Sequence, residues 1–241
     1  MGREDLMQWS KALVDGDIFA YRAAFATEDK TEKEAAVTID GLLQDSLEYC
    51  LGWPNYPEDY EIFLTCSGYQ FRHDIAKTHV YKGNRKKTEK PKHLPAIREH
   101  MTKDWGATVS VEEEADDLIA KAATKNNFDC VVVSVDKDML QIPCWHYNPF
   151  KNVVTKVEPF EGIKFFYTQI LTGDSADNIH GLYQVGPKRA SNMLDGLESE
   201  QDMWGAVLDA YDGDVDRVLE NARLLWLRRY EGEIWQPPDK R

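Results

Sequence analysis

Residues 130–138 read CVVVSVDKD, a run of mostly β-branched residues that closes on two aspartates. Such a run is typical of a buried strand in a parallel sheet covered by helices on both faces. Residues 12–15 (ALVD) and 61–66 (EIFLTC) repeat the pattern of a short apolar run with a polar end. Residues 32–51 and 112–125 carry apolar positions at helical spacing. The sequence therefore predicts an α/β fold with a mostly parallel sheet flanked by helices.

The composition indicates a folded cytoplasmic protein. Of 241 residues 42% are hydrophobic, enough for one core or for one domain with a smaller attachment. The net charge of −13 argues against a general nucleic-acid coat protein but permits an enzyme with a local basic strip. The cysteines form no CxxC pair, the first residues resemble no signal peptide, and no apolar run approaches a membrane span. We therefore expect no disulfide framework, no zinc site and no membrane partner.

The composition shifts after Phe150, where a hairpin-like stretch (residues 151–160) precedes a second part of the chain. We place a boundary near Gly162, which predicts one domain at residues 1–162 and another at residues 163–241. Residues 214–230 have helical apolar spacing and predict a packing helix.

Acidic residues form short clusters along the chain. They are Asp15, Asp17, Glu112, Glu113, Glu114, Asp116, Asp117, Asp136, Asp138, Asp174 and Asp177. Taken singly, each cluster has an ordinary structural interpretation, because acidic residues favour first turns of helices and aspartate favours turns. Two clusters, however, end predicted strands of one sheet, and a third opens a helix that precedes one of those strands. Their joint placement favours a functional site, since ligands of open sheets bind beyond the carboxyl ends of the strands.

Carboxylates brought together repel one another unless a cation neutralises them. Oxygen ligands without a His/Cys pattern favour Mg²⁺ or Mn²⁺ over zinc. Two such ions about 4 Å apart activate water and stabilise the leaving oxygen in phosphodiester hydrolysis. The clusters therefore predict a two-metal nuclease.

Five motifs in order resemble the 5′-nuclease or flap endonuclease superfamily, which includes phage 5′–3′ exonucleases. They are VDGDIFAYRAAFA (14–26), FRHDIAKTHVYKGNR (71–85), EEADDLIA (113–120), VVVSVDKDMLQ (131–141) and GDSADNIHGLYQVGPKRA (173–190). The start of the basic run, VYKGNR, is most similar to the phage branch. The resemblance implies a PIN-like catalytic core over residues 1–162, with a basic arch at 77–103. It also implies a helix–three-turn–helix DNA-binding module with C-terminal helices over residues 163–241.

The same resemblance assigns residue roles. The metal-cluster positions are Asp15, Glu114, Asp116, Asp117, Asp136, Asp138, Asp174 and Asp177. Lys82 and Arg85 match an active-site basic pair, which with Asp15 and Asp136 forms the expected catalytic set. Tyr81 matches an aromatic on which a terminal base stacks, and Arg22 matches a basic residue of the first helix. The expected cofactors are two Mg²⁺ ions, with Mn²⁺ as a substitute, and K⁺ at carbonyls of the helix–three-turn–helix turn.

Two further stretches predict contacts with DNA. Residues 77–103 carry nine Lys/Arg, Lys86 among them, against two glutamates, which indicates a solvated loop or an electrostatic funnel for single-stranded DNA. In GLYQVGPKRA, Gly181 and Gly186 permit a tight turn before a helix whose N–H groups could meet a phosphate, and Lys188 and Arg189 add charge. Such contacts position duplex DNA without selecting its sequence.

One position departs from the family pattern. Where the family carries an Asp at the end of the strand before the FR motif, this chain reads FLTCSGYQFR, with Cys66 or Ser67 in that place. A thiol is a poor magnesium ligand. The hypothesis from sequence is that Asp17, or a water, replaces the missing ligand.

The predicted activity is hydrolysis of DNA phosphodiesters near 5′ ends by a monomeric 5′–3′ exonuclease and flap endonuclease. The expected substrates are DNA with 5′ ends, flaps or single-strand/duplex junctions, together with RNA–DNA hybrid. The expected role is primer removal or DNA degradation in phage replication, in the host cytoplasm. Two alternatives stay open: a PIN-type ribonuclease, and a DNA-structure-binding protein with impaired catalysis.

Overall fold

A computed structural model of the chain describes residues 9–52, 56–85 and 89–239. These residues fall into two compact units, residues 9–68 with 89–157 and residues 69–85 with 158–239. The predicted boundary near Gly162 lies close to the change of unit at residue 158. The predicted domains nevertheless assigned residues 77–85 to the catalytic core, whereas their contacts group them with the C-terminal helices. The domain division itself stays a prediction.

The first unit contains a six-stranded sheet. Its strands are β1 (Ala12–Asp15), β2 (Tyr60–Leu64), β3 (Thr108–Val109), β4 (Val131–Val133), β5 (Trp145–Asn148) and β6 (Val153–Lys156). The order is β3-β2-β1-β4-β5-β6, and every neighbouring pair is parallel except β5 and β6. The predicted α/β class with a mostly parallel sheet is confirmed. The hairpin expected at residues 151–160 is formed by β5 and β6, so it begins earlier than predicted.

The helices of both units are, in chain order, α1 (Gly16–Ala26), α2 (Glu32–Leu51), α3 (Arg72–Ile75), α4 (Leu94–Asp104), α5 (Ala115–Lys125), α6 (Pro159–Thr172), α7 (Pro187–Met193), α8 (Glu200–Ala210) and α9 (Val215–Leu225). α2 matches the predicted range because Thr31 and Glu34 form a capping box at its start. α5 begins three residues later than predicted, since Glu114 is its N-cap. Within the described residues, no helix has the length and apolar character that crossing a bilayer requires.

The start of α1 lies very close to the neighbouring strand β2. A Cβ added to Gly16 would come within 2.7 Å of the carbonyl oxygen of Phe63. Only glycine fits at this distance, so the chain can turn directly from the end of β1 into α1. The apolar side of α1 then packs on the sheet through Phe19 and Ala23, which are fully buried. This turn brings Asp15 to the carboxyl edge of the sheet.

The second unit has its own apolar core, formed mainly by α6, α8 and α9. The two-residue strands β7 (Gly173–Asp174) and β8 (Ile179–His180) pair antiparallel beside them. The helix predicted over residues 214–230 is shorter than expected, because α9 ends at Leu225. The buried guanidinium of Arg72 explains the end, as it donates to the carbonyl oxygens of Leu224 at 2.8 Å and Trp226 at 2.9 Å. The last carbonyls of the helix are therefore satisfied by a side chain.

Candidate active site

Asp15 ends the central strand β1 and is only 4% exposed. Its Oδ2 accepts a hydrogen bond of 2.8 Å from the hydroxyl of Ser134, which follows the adjacent strand β4. The same hydroxyl accepts a bond of 3.0 Å from the backbone N–H of Asp136. Ser134 thereby connects the ends of two parallel strands. Asp138 lies two residues further on and donates its backbone N–H to Asp136 Oδ1 at 2.9 Å.

The first turn of α5 contributes three more carboxyl groups. The fully buried Asp117 accepts the backbone N–H of Glu114 at 3.2 Å and so caps its own helix. The side chain of Glu114 is also buried. Asp116 is half-buried and lies near enough to Asp15 and Asp136 for their charges to act on it. We call Asp15, Glu114, Asp116, Asp117 and Asp136 the carboxylate edge.

Two carboxyl groups of this edge, Asp15 and Asp116, have raised pKa values. Burial raises the pKa of Asp15 to about 7; the Ser134 hydrogen bond opposes this rise, and repulsion from Asp17 and Asp136 adds to it. Burial likewise raises the pKa of Asp116 well above its ordinary value, with repulsion from Asp15, Glu114, Asp136 and Asp117. Within the described ranges, no three acidic, His or Cys side chains form a ready-made metal cage. The carboxylates are therefore gathered at one edge, where burial and mutual repulsion both disfavour their charged forms.

The remaining predicted metal positions, Asp174 and Asp177, belong to the second unit. Asp174 is buried and accepts the backbone N–H of Ala176 at 2.7 Å. Asp177 is bound to the predicted basic pair: Arg85 Nη2 lies 2.5 Å from its Oδ1, and Lys82 Nζ lies 3.8 Å from its Oδ2. The two basic side chains predicted to be catalytic, Lys82 and Arg85, thus both pair with Asp177, which was predicted to bind metal.

The backbone between Val80 and Arg85 is fastened to the turn that carries Asp177. Lys82 donates its N–H to the Asp177 carbonyl at 2.9 Å, and the Asn84 amide donates to the Ser175 carbonyl at 2.6 Å. In the other direction, the Asn178 amide donates to the Val80 carbonyl at 2.9 Å. Lys82 and Asn178 both adopt left-handed backbone conformations. The segment therefore forms a defined turn, and its Lys82 and Arg85 side chains meet Asp177.

Tyr81 differs from its predicted role. Its side chain is 3% exposed, and its hydroxyl donates to Asp177 Oδ2 at 2.8 Å. An aromatic ring buried to this extent offers no open face to a nucleic-acid base, so base stacking on Tyr81 is not supported in this arrangement. Its contacts instead make it part of the support of Asp177.

The other predicted DNA contacts are placed as follows. Arg22 is exposed on α1, with its guanidinium 4.1 Å from the ring centre of Phe150. Lys188 and Arg189 are exposed in the first turn of α7. Lys86 lies outside the described residues.

The two glycines of the predicted turn have unequal roles. Gly181 is required, because a Cβ there would come within 2.3 Å of the Thr172 backbone. Gly186 has open space around it and a φ of −91°, so no backbone constraint demands glycine there. The left-handed residue of the turn is Gln184. The turn therefore requires glycine at position 181, whereas at position 186 it would also accept a residue with a side chain.

The basic strip is less free than its sequence indicated. Lys82 and Arg85 pair with Asp177, and on α4 Arg98 pairs with Asp17 while Lys103 pairs with Glu99. Lys77, Lys90 and Lys92 are exposed. Several charges of the strip therefore balance acidic side chains of the same unit, which reduces the field available to steer DNA.

At the end of β2, where the sequence lacks the expected ligand, the structure shows the surroundings of Cys66 and of Asp17, and the replacement of the ligand by Asp17 or a water stays a hypothesis. The Cys66 thiol lies 3.4 Å from the Glu113 carbonyl, and the Cys66 N–H donates to the Ser110 hydroxyl at 2.9 Å. Asp17 accepts the Thr65 N–H at 2.8 Å and pairs with Arg98. Sequence reasoning missed Ser110, Ser134 and Arg98. Ser134 could have been found from its position between β4 and Asp136, whereas Arg98 was hidden among the other basic residues.

Comparison with known sequences places this geometry in context. Residues 10–161 match the sequence family described as 5′-3′ exonuclease, N-terminal resolvase-like domain. DNA polymerase I of Bacillus subtilis is 33% identical over 232 residues, covering 86% of this chain and 26% of that protein. The flap endonuclease Xni of Shewanella woodyi is 33% identical over 128 residues, covering 48% of this chain and 51% of its own length. The matches thus span about a quarter and about half of these curated relatives.

Solved structures show the same fold. The T5 D15 protein, co-crystallised with metal ions, superposes with a TM-score of 0.62 at 17% identity and covers 89% of this chain and 88% of its own. Flap endonuclease-1 from Methanococcus jannaschii gives a TM-score of 0.60 at 14% identity, covering 96% and 82% respectively.

Proposed function

Because the chain belongs to the family of 5′-3′ exonucleases with the N-terminal resolvase-like domain, we propose that it is a divalent-metal-dependent 5′–3′ exonuclease and flap endonuclease acting on DNA. The single observation that carries the metal-dependent part is the carboxylate edge. Acidic side chains from β1, α5 and the end of β4 are close enough there to repel one another.

The donor set of this edge fits a hard divalent cation. Carboxylate oxygens are the ligands that Mg²⁺ and Mn²⁺ prefer. A cation would stabilise the charged forms of Asp15 and Asp116, whose pKa values are raised first by burial and then by repulsion from neighbouring carboxylates. Asp15, Glu114, Asp116, Asp117, Asp136 and Asp138 would hold the ions. When bound, such ions supply Lewis-acid activation of water and charge stabilisation at phosphate. Two ions and the choice of magnesium are part of the proposal.

The chain's own residues would orient these groups. Ser134 holds the Asp15 carboxylate and the Asp136 backbone together, which limits the positions that both side chains can take. The capping contact between Asp117 and Glu114 fixes the first turn of α5. In the second unit, Lys82 and Arg85 would bind phosphate oxygens and neutralise their charge. Their pairing with Asp177 keeps both cations in defined orientations.

The DNA contacts proposed for the second unit are the exposed Lys188 and Arg189 in the first turn of α7, with Arg22 on the first unit. We propose DNA with 5′ ends, flaps or junctions as substrates, RNA–DNA hybrid as an additional substrate, and a monomer as the active form. A K⁺ ion at backbone carbonyls near Gly181 belongs to the same proposal. The biological role we propose is primer removal or DNA degradation during replication. An origin in a phage stays a prediction, since the two curated relatives above are bacterial.

Product mapping tests the proposal. The wild type, Asp136→Ala and the surface control Asp195→Ala would be incubated with Mg²⁺ and 5′-labelled flap, nicked and blunt duplexes. We expect release of short 5′-terminal products by the wild type and the control, and loss of at least ~100-fold in rate for Asp136→Ala. Unchanged cleavage by Asp136→Ala would contradict the assignment.

Matched substrates separate the alternatives. Faster cleavage of an RNA strand than of the same DNA sequence would support a PIN-type ribonuclease instead. Retention of flap DNA without Mg²⁺-dependent products would support a DNA-structure-binding protein, an outcome that the thiol at position 66 makes worth testing.

A further inference from the structure

The end of β2 is held by a closed set of contacts among Asp17, Thr65 and Arg98. Asp17 Oδ2 accepts the Thr65 N–H at 2.8 Å, and Arg98 donates to Asp17 Oδ1. The other guanidinium nitrogen of Arg98 donates to the Thr65 carbonyl at 2.6 Å. Both oxygens of the Asp17 carboxylate and both polar groups of the Thr65 backbone are thereby engaged. We call Asp17 and Arg98 the ion-pair brace.

The brace continues to α5, whose N-cap and first turn carry Glu114, Asp116 and Asp117. The Thr65 hydroxyl accepts the backbone N–H of Ala115, the first residue of α5, at 3.1 Å. Thr65 is therefore bonded to α1 through Asp17, to α4 through Arg98 and to the start of α5. This arrangement fixes the start of α5 relative to the end of β2.

The brace also lies close to the acidic side chains of the carboxylate edge. The side chains of Asp17 and Arg98 are 22% and 24% exposed, so water screens them only partly. Asp17 lies near enough to Asp15 to repel its carboxylate. The positive charge of Arg98 thus lies next to Asp17, which repels Asp15 of the carboxylate edge, and the Asp17–Arg98 pair is neutral as a whole.

We propose that Arg98 is a positioning residue of the metal site: it holds Asp17 as a structural counter-ion and sets the divalent-ion affinity of the carboxylate edge through its charge. This inference rests on the proposed function and makes it more specific. Asp17 then does not replace the ligand missing at Cys66. The brace instead fixes the end of β2, and the edge has one metal ligand fewer than the family pattern implies.

Substitution of Arg98 and substitution of Asp17 should change the divalent-ion affinity in opposite directions. Arg98→Met leaves the Asp17 charge uncompensated, and Asp17→Asn leaves the Arg98 charge uncompensated. We expect Mn²⁺, measured by electron paramagnetic resonance of the free ion, to bind roughly three- to tenfold more tightly to Arg98→Met and weaker by a similar factor to Asp17→Asn. The double variant should return to within about twofold of the wild type.

This double variant distinguishes a brace from a ligand. If Asp17 coordinates the ion directly, Mn²⁺ binding stays as weak in the double variant as in Asp17→Asn, and the proposal is overturned. Unchanged affinity in both single variants overturns it too. The matched control is the Lys103–Glu99 pair on the same helix, whose side chains are 68% and 63% exposed. Lys103→Met and Glu99→Gln should leave Mn²⁺ binding within about twofold of the wild type.

A metal-free measurement keeps this inference separate from the proposed function. Thermal unfolding of the wild type, both single variants and the double variant in EDTA forms a double-mutant cycle. The brace predicts that the two melting-temperature losses are not additive, whereas additive losses would overturn it. Arg98→Lys keeps the charge but not the two-pronged contact, so its melting temperature should fall while Mn²⁺ affinity stays unchanged. Absence of Mn²⁺ binding by the wild type would overturn the proposed metal site, and the unfolding cycle would still decide whether the brace exists.

Discussion

The carboxylate of Asp15 and the hydroxyl of Ser134, 2.8 Å apart, join the ends of two neighbouring parallel strands. The hydroxyl donates to the carboxylate, so it favours the charged form of Asp15 against the burial that disfavours it. It also accepts the backbone N–H of Asp136. One small side chain therefore supports two proposed metal ligands.

Removing this hydroxyl should raise the pKa of Asp15. For Ser134→Ala we expect the acidic limb of the pH–rate profile to move to higher pH. The free energy of unfolding should fall by about 0.5–1.5 kcal/mol, the usual worth of such a bond. Cleavage rates from pH 6 to 9 and chemical denaturation would measure both effects. Thr155→Ala, on the outer strand β6, is the control, and an equal shift of its profile would argue against a specific role for Ser134.

The raised pKa values predict how stability depends on pH. A carboxyl group whose pKa is higher in the folded than in the unfolded chain binds its proton more tightly when folded. The contribution of Asp15 is therefore fully present below its ordinary pKa of 3.8 and is lost as the pH rises through about 7. In EDTA, the chain should therefore be less stable at pH 8 than at pH 5, because this buried carboxyl group must ionise.

Asp116→Asn removes one repelling charge and one group with a raised pKa. Between pH 5 and pH 8 in EDTA, the melting temperature of this variant should therefore fall less than that of the wild type. With Mn²⁺ added, the two proteins should differ less in this pH dependence. Parallel pH dependences of the two proteins would show that the carboxylates of the edge do not oppose folding.

The Asp177 contacts predict that replacing this residue lowers the stability of the second unit. Asp177→Asn removes the pairing with Arg85 and Lys82, so we expect unfolding to become easier by about 1–3 kcal/mol. DNA affinity should change as well, because both cations lose their fixed orientation. Asp195→Asn is the matched control, since its carboxylate is 85% exposed and 3.8 Å from Lys164. Thermal unfolding and fluorescence anisotropy with a labelled flap would compare them; equal behaviour would rule out this role of Asp177.

The two glycines before α7 should respond differently to alanine. Gly181→Ala forces a Cβ against the Thr172 backbone and should destabilise the chain by about 3 kcal/mol or more. Gly186→Ala should be neutral or stabilising by up to about 1 kcal/mol, since its φ and its surroundings accept a side chain. Denaturant midpoints would distinguish the two, and a large loss for Gly186→Ala would contradict the described turn.

The sequence was sufficient for the features that depend on local patterns. The apolar run at residues 131–133 and the capping box of α2 are local, and both elements lie where predicted. These features could be predicted without coordinates. The sequence placed Asp15 and Asp136 after strands of one sheet, whereas the adjacency of β1 and β4 is seen only in the structure.

Contacts between distant side chains could not be predicted in the same way. Asp17 and Arg98 are 81 residues apart, and no local pattern marks either as a partner of the other. The burial of Tyr81 depends on packing within the second unit, which a motif does not encode. Gly181 and Gly186 look alike in sequence, and only the chain that passes beside one of them separates their roles.

The first turn of α5 affects how an inactive form of the protein should be made. Trapping a nucleic-acid complex requires a variant that cannot cut but still folds. Asp117 caps its own helix from a fully buried position, so replacing it would damage the scaffold along with the chemistry. Asp136 is exposed, and its side chain supports only the next turn. Within the carboxylate edge, Asp136 is therefore a suitable position for an inactive variant that still folds and binds DNA, whereas Asp117 is unsuitable.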